Sequence, residues 1–404
     1  MQLGLKHEIQ VSITCAIILI LTELYGSTYF GFLSLRNYAM LYCILILIIG
    51  GKRPNTQVFK SFKFLIYYYI YVAFLGMFND LYIDETGNTL VFARFLPLVI
   101  IFVFFTSSLK EHKSQVLFIY MLLFVTVLDA IATILQGTGN VLGWMIKSYF
   151  SNSELSELVI DVDDSIGYSI SSGIMTTVVG NGFFLSSFGL FFWVPYMENK
   201  TKISLMISLS LWFLFLVALF YNQQRMAFYS YLLLSASVPL ILSRSKLKFL
   251  IISILIIVIV SVFYNNIVPN QDALGRLSQV TNEDIDKRHL LHNTYYQEFM
   301  PYHLITGDRH EFIETHIGTP HNIIIETLLL GGIGGLILFV MFVITFFYRI
   351  KGILNNKNSK NLIYALPIIA ILMVSWEHSS GFHTGLTLGV YSLAIFELKM
   401  LERT

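Results

Sequence analysis

Apolar runs long enough to cross roughly 30 Å of hydrocarbon, about 20 residues each, recur from one end of this chain to the other, and short polar breaks separate them. The pattern predicts spans near residues 9–25, 38–49, 64–78, 90–106, 116–135 and 173–195. A second set follows near 203–221, 226–242, 249–264, 322–348, 362–376 and 384–397, which makes twelve. The second and twelfth are short, and the seventh and eighth are joined so closely that one re-entrant hairpin is an alternative. The first run has no small-residue cleavage pattern after it and reads as a retained helix. The predicted fold is therefore all-α: a polytopic integral membrane protein, residues 1–404 forming one transmembrane domain.

Composition agrees. Of 404 residues, 55% are hydrophobic and 13% charged, and the mean hydropathy is +0.69, well above an ordinary water-soluble domain. No separate soluble domain fits. The net charge of +1 gives no electrostatic reason for a nucleic-acid partner. Cys15 and Cys43 both fall inside apolar runs, where thiols act as small hydrophobes, so neither a disulfide nor a metal site is expected.

The distribution of charge changes the picture more than its sum. Lys6, Lys52, Arg53, Lys60, Lys63, Lys110, Lys113, Lys200, Lys202, Arg244, Lys246, Lys248, Arg349, Lys351, Lys357, Lys360, Lys399 and Arg403 all fall on alternate connections or at the termini, 18 of the 26 Lys and Arg. Retained positive charge marks the cytoplasmic face, so both termini are expected inside. The acidic or neutral breaks at 79–88, 136–172, 265–320 and 377–383 then face outward, with the tight turn at 222–225.

The outer loop at 265–320, between spans nine and ten, is the most informative stretch. Thr281 and Asp284 resemble a capping box, and Ile285, Arg288, His292, Tyr295 or Tyr296 and Phe299 recur at helical spacing. That spacing predicts a helix lying on the membrane surface, ended by Pro301. A turn is expected at Gly307-Asp308-Arg309, and Pro320 fits a position just ahead of the tenth span, with His321 at its edge.

Candidate chemistry follows from charges in costly places. Arg225 lies between two long apolar runs, where a guanidinium needs an anion or an aqueous cavity; an interfacial snorkelling arginine is the other reading. Arg288 shares a face of the predicted loop helix with Ile285 and His292. Arg276 and Arg309 share the loop, where pairing with Asp272, Glu283, Asp308 or Glu311 is the simpler reading, and Arg94 opens the fourth span. Eight outward histidines show no zinc-binding spacing. Of these, His321 is singled out, because an imidazole fixed at a helix start suits a general base toward a hydroxyl.

Several of these residues fall in a recognisable order: Arg225 at an outward turn, Asp286-Lys287-Arg288 in the loop, a Pro-Tyr-x-Leu-Ile-x-Gly segment from Pro301 to Gly307, then Pro320-His321-Asn322, Glu326 and Gly331-Gly332-Ile333-Gly334-Gly335. Over roughly residues 203–348 this order resembles the bacterial O-antigen polymerase and O-antigen ligase superfamily, multi-spanning glycosyltransferases of the inner membrane. Relatives often carry Gly-x-Gly in the turn, whereas here Asp308-Arg309 follow Gly307. The resemblance implies an undecaprenyl-diphosphate-linked glycan as donor and acceptor, with no cofactor and no metal. It places the diphosphate on Arg225 and Arg288 and makes His321 the base for the acceptor hydroxyl. Arg94, Arg276 and Arg309 are further candidate substrate contacts, and a chain-length regulator is an expected protein partner. Polymerase is the preferred activity; ligation to lipid A core and, from another class, flipping of a lipid-linked glycan are the alternatives.

Overall fold

The computed structural model describes residues 2–24, 29–30, 33–50, 56–79, 90–151, 171–175, 177–242, 290–309, 311–312, 322–355, 359–377 and 382–401. These are helical almost throughout, apart from a two-residue antiparallel ladder of Tyr29–Phe30 with Leu33–Ser34. Among the described residues, four stretches are long and apolar enough to cross a membrane: His112–Gly137, Val178–Asn199, Lys202–Asn222 and Ile323–Ile353. Five shorter apolar helices accompany them. The chain is an all-α membrane protein.

In order, the helices are α1 (Gln2–Glu23), α2 (Leu35–Ile49), α3 (Thr56–Asn79), α4 (Leu90–Ser108), α5 (His112–Gly137), α6 (Val141–Ser151), α7 (Val178–Phe188), α8 (Val194–Asn199), α9 (Lys202–Asn222) and α10 (Arg225–Leu242). Further along the chain come α11 (Met300–His303), α12 (Ile323–Asn355), α13 (Leu366–Glu377) and α14 (Phe382–Leu401). Local chemistry explains several boundaries. The Thr201 hydroxyl and Ser204 cap each other reciprocally at the start of α9, and the Thr177 hydroxyl accepts from Gly180 N–H at the start of α7, each satisfying donors that a helix start leaves open. Inside the helices, Thr106, Thr126, Thr133 and Thr327 donate to the carbonyl four residues earlier, which hides a hydroxyl where water is absent.

Helices occupy eleven of the twelve predicted stretches, four of which fall in the segments long and apolar enough to cross a membrane; the ninth, 249–264, lies outside the described residues. The sixth starts at Val178 rather than 173 and passes through a 3-10 turn at Gly189–Trp193 before α8. The stretch 136–172, expected to be a plain connection, carries α6.

The chain divides into two compact units. The first comprises Met1–Leu117, Thr281–Asn356 and Ser375–Thr404. Its core is α12 against α3, where Phe62 meets Phe342 and Tyr68 meets Phe339, both with centroids 5.8 Å apart. Tyr391 of α14 packs on Phe105 of α4 at 5.0 Å. Near the C-terminal ends of α12 and α14, Arg349 pairs with the buried Glu397 at 2.9 Å. The second unit comprises Phe118–Val280 and Lys357–Val374. Its centre is the buried run from Gly180 to Val194, against which Tyr231 of α10 packs on Phe192 at 6.2 Å and Tyr364 on Phe191 at 6.4 Å.

Candidate active site

The described part of the 265–320 segment is built onto α12. Helical structure runs from Leu290, widens into a π turn at Tyr295–Phe299, and continues as α11 to His303. The expectation that Pro301 ends this helix is incorrect. After the π turn Pro301 occupies the first turn of the next segment, where its missing N–H is not needed. Tyr295 and Phe299 turn inward with Phe312 onto Ile325, Leu328 and Leu329 of α12, with rings 5.8 and 5.2 Å from Phe312. Tyr296, Gln297 and Glu298 remain exposed. Burial raises the Tyr295 phenol above its ordinary pKa, so it stays neutral.

Beyond α11, His303 stacks on Phe299 at 4.1 Å and the chain turns through Leu304–Thr306. Gly307 closes this turn with φ +65°, its N–H donating to His303 O at 2.8 Å. Here the loop enters α12. Gly332 departs from helical geometry at φ +54°, ψ −158°, a region essentially limited to glycine. The departure lets Ile333 N–H donate to Leu304 O at 2.7 Å. A Cβ on Gly332 would lie 2.1 Å from Ile305 O, and one on Gly307 would lie 2.4 Å from Leu329 O. Both glycine-containing motifs of the sequence therefore meet backbone to backbone.

Arg309, next in the chain, donates through Nε to Glu326 Oε1. The Glu326 side chain is wholly buried, and the guanidinium supplies the charge that a buried carboxylate requires. The expected loop partners Asp308 and Glu311 do other work: Asp308 Oδ1 accepts from Glu311 N–H at 3.0 Å, and Glu311 Oε2 lies 3.4 Å from His303 Nε2. Ligand atoms of His303, Asp308 and Glu311 lie within 4.8 Å of one another, a grouping whose spacing matches no metal motif in the sequence. At the head of α12, Asn322 Oδ1 accepts from Ile324 N–H at 2.9 Å and Ile325 N–H at 3.3 Å. The residue after His321 is thus the cap that starts the helix.

In the second unit, Arg225 is the first residue of α10 and half-buried. Among the described residues it forms no ion pair. The turn before it, Asn222-Gln223-Gln224, is enclosed rather than solvated: Asn222 and Gln224 are buried, and Gln223 takes the left-handed conformation at φ +61°. Asn222 Nδ2 donates to Ser171 O at 2.9 Å and Val178 O at 3.0 Å. Asn181 Nδ2 donates to the same Ser171 O at 3.3 Å and to Thr133 Oγ1 at 3.0 Å. The segment Ser172–Ile174 is held in turn by Gln136, whose Oε1 accepts from Ser172 and Gly173 N–H at 3.1 and 3.0 Å, and by Asp129, whose Oδ1 accepts from Ile174 N–H at 2.9 Å. Lys147 Nζ donates to Ser172 Oγ at 2.5 Å.

Of the sequence-predicted site, the structure places Arg309 beside Glu326 and Arg225 at an enclosed turn. His321, Arg288 and Arg276 lie outside the described residues. Arg94 falls in α4, but its side chain is also outside them. Sequence reasoning missed the polar cluster of Asp129, Gln136, Asn181 and Asn222. Its signal was present, since Asp129 and Asn181 interrupt apolar runs where a polar side chain requires a partner. No protein-family model and no curated protein matches the chain.

Proposed function

We propose that the chain is a metal-independent glycosyltransferase that polymerises undecaprenyl-diphosphate-linked oligosaccharide repeats on the outer face of a bacterial inner membrane. In this reading twelve spans place both termini in the cytoplasm and the loop at 265–320 outside. The reading rests on the motif order given above. One observation carries it further: the Leu304–Gly307 turn lodges in the Gly332 break of α12, which ties the loop's return to the helix whose cap follows His321.

The chemistry suits the residues. The donor sugar already carries a good leaving group. The acceptor hydroxyl oxygen bonds to the anomeric carbon as the bond to the diphosphate breaks, and His321 takes the hydroxyl proton. Arg225 and Arg288 offer forked donors to the departing diphosphate, whose negative charge grows in the transition state. Arg309 is committed to Glu326 and serves to position the loop rather than to bind substrate. Arg94 and Arg276 remain candidate glycan contacts.

Arg225→Ala, Arg288→Ala and His321→Ala, each expressed at the normal level, are expected to abolish long glycan chains in cells that depend on this protein. Normal chain lengths in all three would refute the site. Polymer accumulating on the lipid carrier in a deletion strain would identify a ligase instead. Purified protein that elongates lipid-linked repeats in liposomes without any gradient would exclude a flippase.

A further inference from the structure

The polar cluster of the second unit holds more unmet hydrogen-bond acceptors than donors. Asp129 Oδ2, Asn181 Oδ1, Asn222 Oδ1 and both amide atoms of Gln224 are buried without a partner. Asp129, Asn181 and Asn222 are wholly inaccessible, and Gln224 is 5% exposed. The orientation of the two asparagines is fixed: each Nδ2 donates to oxygen atoms, Asn181 to Thr133 Oγ1 and Ser171 O, Asn222 to Ser171 O and Val178 O. Their remaining atoms are therefore oxygens in need of a donor or a cation. A buried acceptor left unmet is unfavourable, and several lie together here.

Two glycines show how close these groups stand. A Cβ on Gly182 would lie 1.4 Å from Gln224 Oε1 and 3.0 Å from Asn222 Oδ1. One on Gly173 would lie 2.1 Å from Asp129 Oδ1 and 2.6 Å from Thr133 Oγ1, and Thr133 Oγ1 is itself bonded to Asn181. The surroundings are tight, and four unmet acceptor oxygens face one unmet donor atom, Gln224 Nε2. One carboxylate among neutral amide oxygens matches a single positive charge rather than a divalent ion, which favours several carboxylates. Lys147, the buried cation of this region, is engaged with Ser172 Oγ and makes no ion pair with Asp129.

We infer that a dehydrated monovalent metal cation, sodium or potassium, binds where Asn181, Asn222 and Gln224 converge, with oxygens from these amides as ligands and Asp129 balancing its charge. The site ties the Ser171–Ile174 segment and the turn before Arg225 to α5 and α7. It does not depend on the glycosyltransferase reading.

Thermal unfolding of the full-length protein in detergent tests it, in sodium, potassium or N-methyl-D-glucamine chloride at fixed ionic strength. A saturable rise of the midpoint with sodium or potassium, absent in N-methyl-D-glucamine, is expected. Asp129→Asn, which keeps the shape of the side chain, should lose that dependence. Direct binding of radioactive sodium or rubidium to the unaltered protein, expected at one ion per chain, decides the matter even if the variant does not fold. Equal midpoints in all three salts with no bound radioactivity would overturn the inference and leave water as the occupant.

Discussion

The loop return on α12 and the turn between α9 and α10 are both enclosed connections, yet they are held by opposite means. At α12 two backbones approach so closely that side chains are excluded: Gly307 and Gly332 touch carbonyls of the other segment, and Ile333 N–H leaves its own helix to reach Leu304 O. At the α9–α10 turn, amide side chains reach outward from three helices to hold the backbone of Ser171–Ile174. The first arrangement concentrates its energetics in one or two positions. The second spreads them over several, so each single loss is smaller.

The largest expected effect is therefore at Gly332. Gly332→Ala forces a side chain into a glycine-only conformation, a strain of about 1–3 kcal/mol, and adds to it the collision of its Cβ with the backbone at Ile305 O, 2.1 Å away, so that the sum exceeds every loss below. The midpoint of thermal unfolding should fall sharply, and protease should cut the loop between residues 290 and 312. Two neighbours sharpen the comparison. Gly334→Ala meets only the mobile end of Tyr71, at 2.6 Å from its hydroxyl, and should be milder. Gly335→Ala finds nothing nearer than 3.5 Å and should be neutral, since alanine favours the helix by up to about 1 kcal/mol. Equal damage at all three would mean that the loop does not seat in the kink.

Next comes Glu326→Gln. Removing one member of a buried pair typically costs about 3–5 kcal/mol; because the Arg309 side chain is 26% exposed and finds water, the lower end applies. Arg309→Met should be at least as damaging, since it strands the carboxylate. The double variant Arg309→Met, Glu326→Leu should recover stability toward the original, read as a double-mutant cycle on the unfolding midpoint.

The contrast also explains what was legible in the sequence. Helices announced themselves because lipid demands unbroken apolar runs, and so α9 and α10 lie within one residue of their expected bounds, while α12 starts one residue late and runs seven past its expected end. The glycine motif was visible because a gap of side chains leaves a local mark. Its partner in the loop was visible as a motif but not as a contact, because no local rule links Leu304 to Ile333. The π turn that carries the helix through Pro301 also leaves no local mark. The amide cluster was hidden for a similar reason: Asp129, Asn181 and Asn222 are 52 and 41 positions apart in the chain, and each alone looks like an isolated blemish in an apolar run. Arg309 was read as a loop charge because Glu326 belongs to the next span.

Within the amide cluster, Asn222→Ala removes donors from Ser171 O and Val178 O and should destabilise by about 1–3 kcal/mol, less than Gly332→Ala. Asn222→Asp keeps the shape but loses the donors and should be no better. A loss as large as that of Gly332→Ala would show that this turn is as concentrated as the other.

The smallest effect is expected at the cap of α12. Asn322→Ala removes the acceptor for Ile324 and Ile325 N–H, worth about 1 kcal/mol, whereas Asn322→Ser and Asn322→Asp keep a capping oxygen and should leave the unfolding midpoint within error. Because His321 precedes this cap, glycan chain length reads a second quantity. If Asn322→Ala shortens the chains and Asn322→Ser restores them, the cap orients the histidine as a base, and its effect on product exceeds its effect on stability. If the midpoint falls while chain length stays normal, the cap serves the helix alone and His321 acts without it.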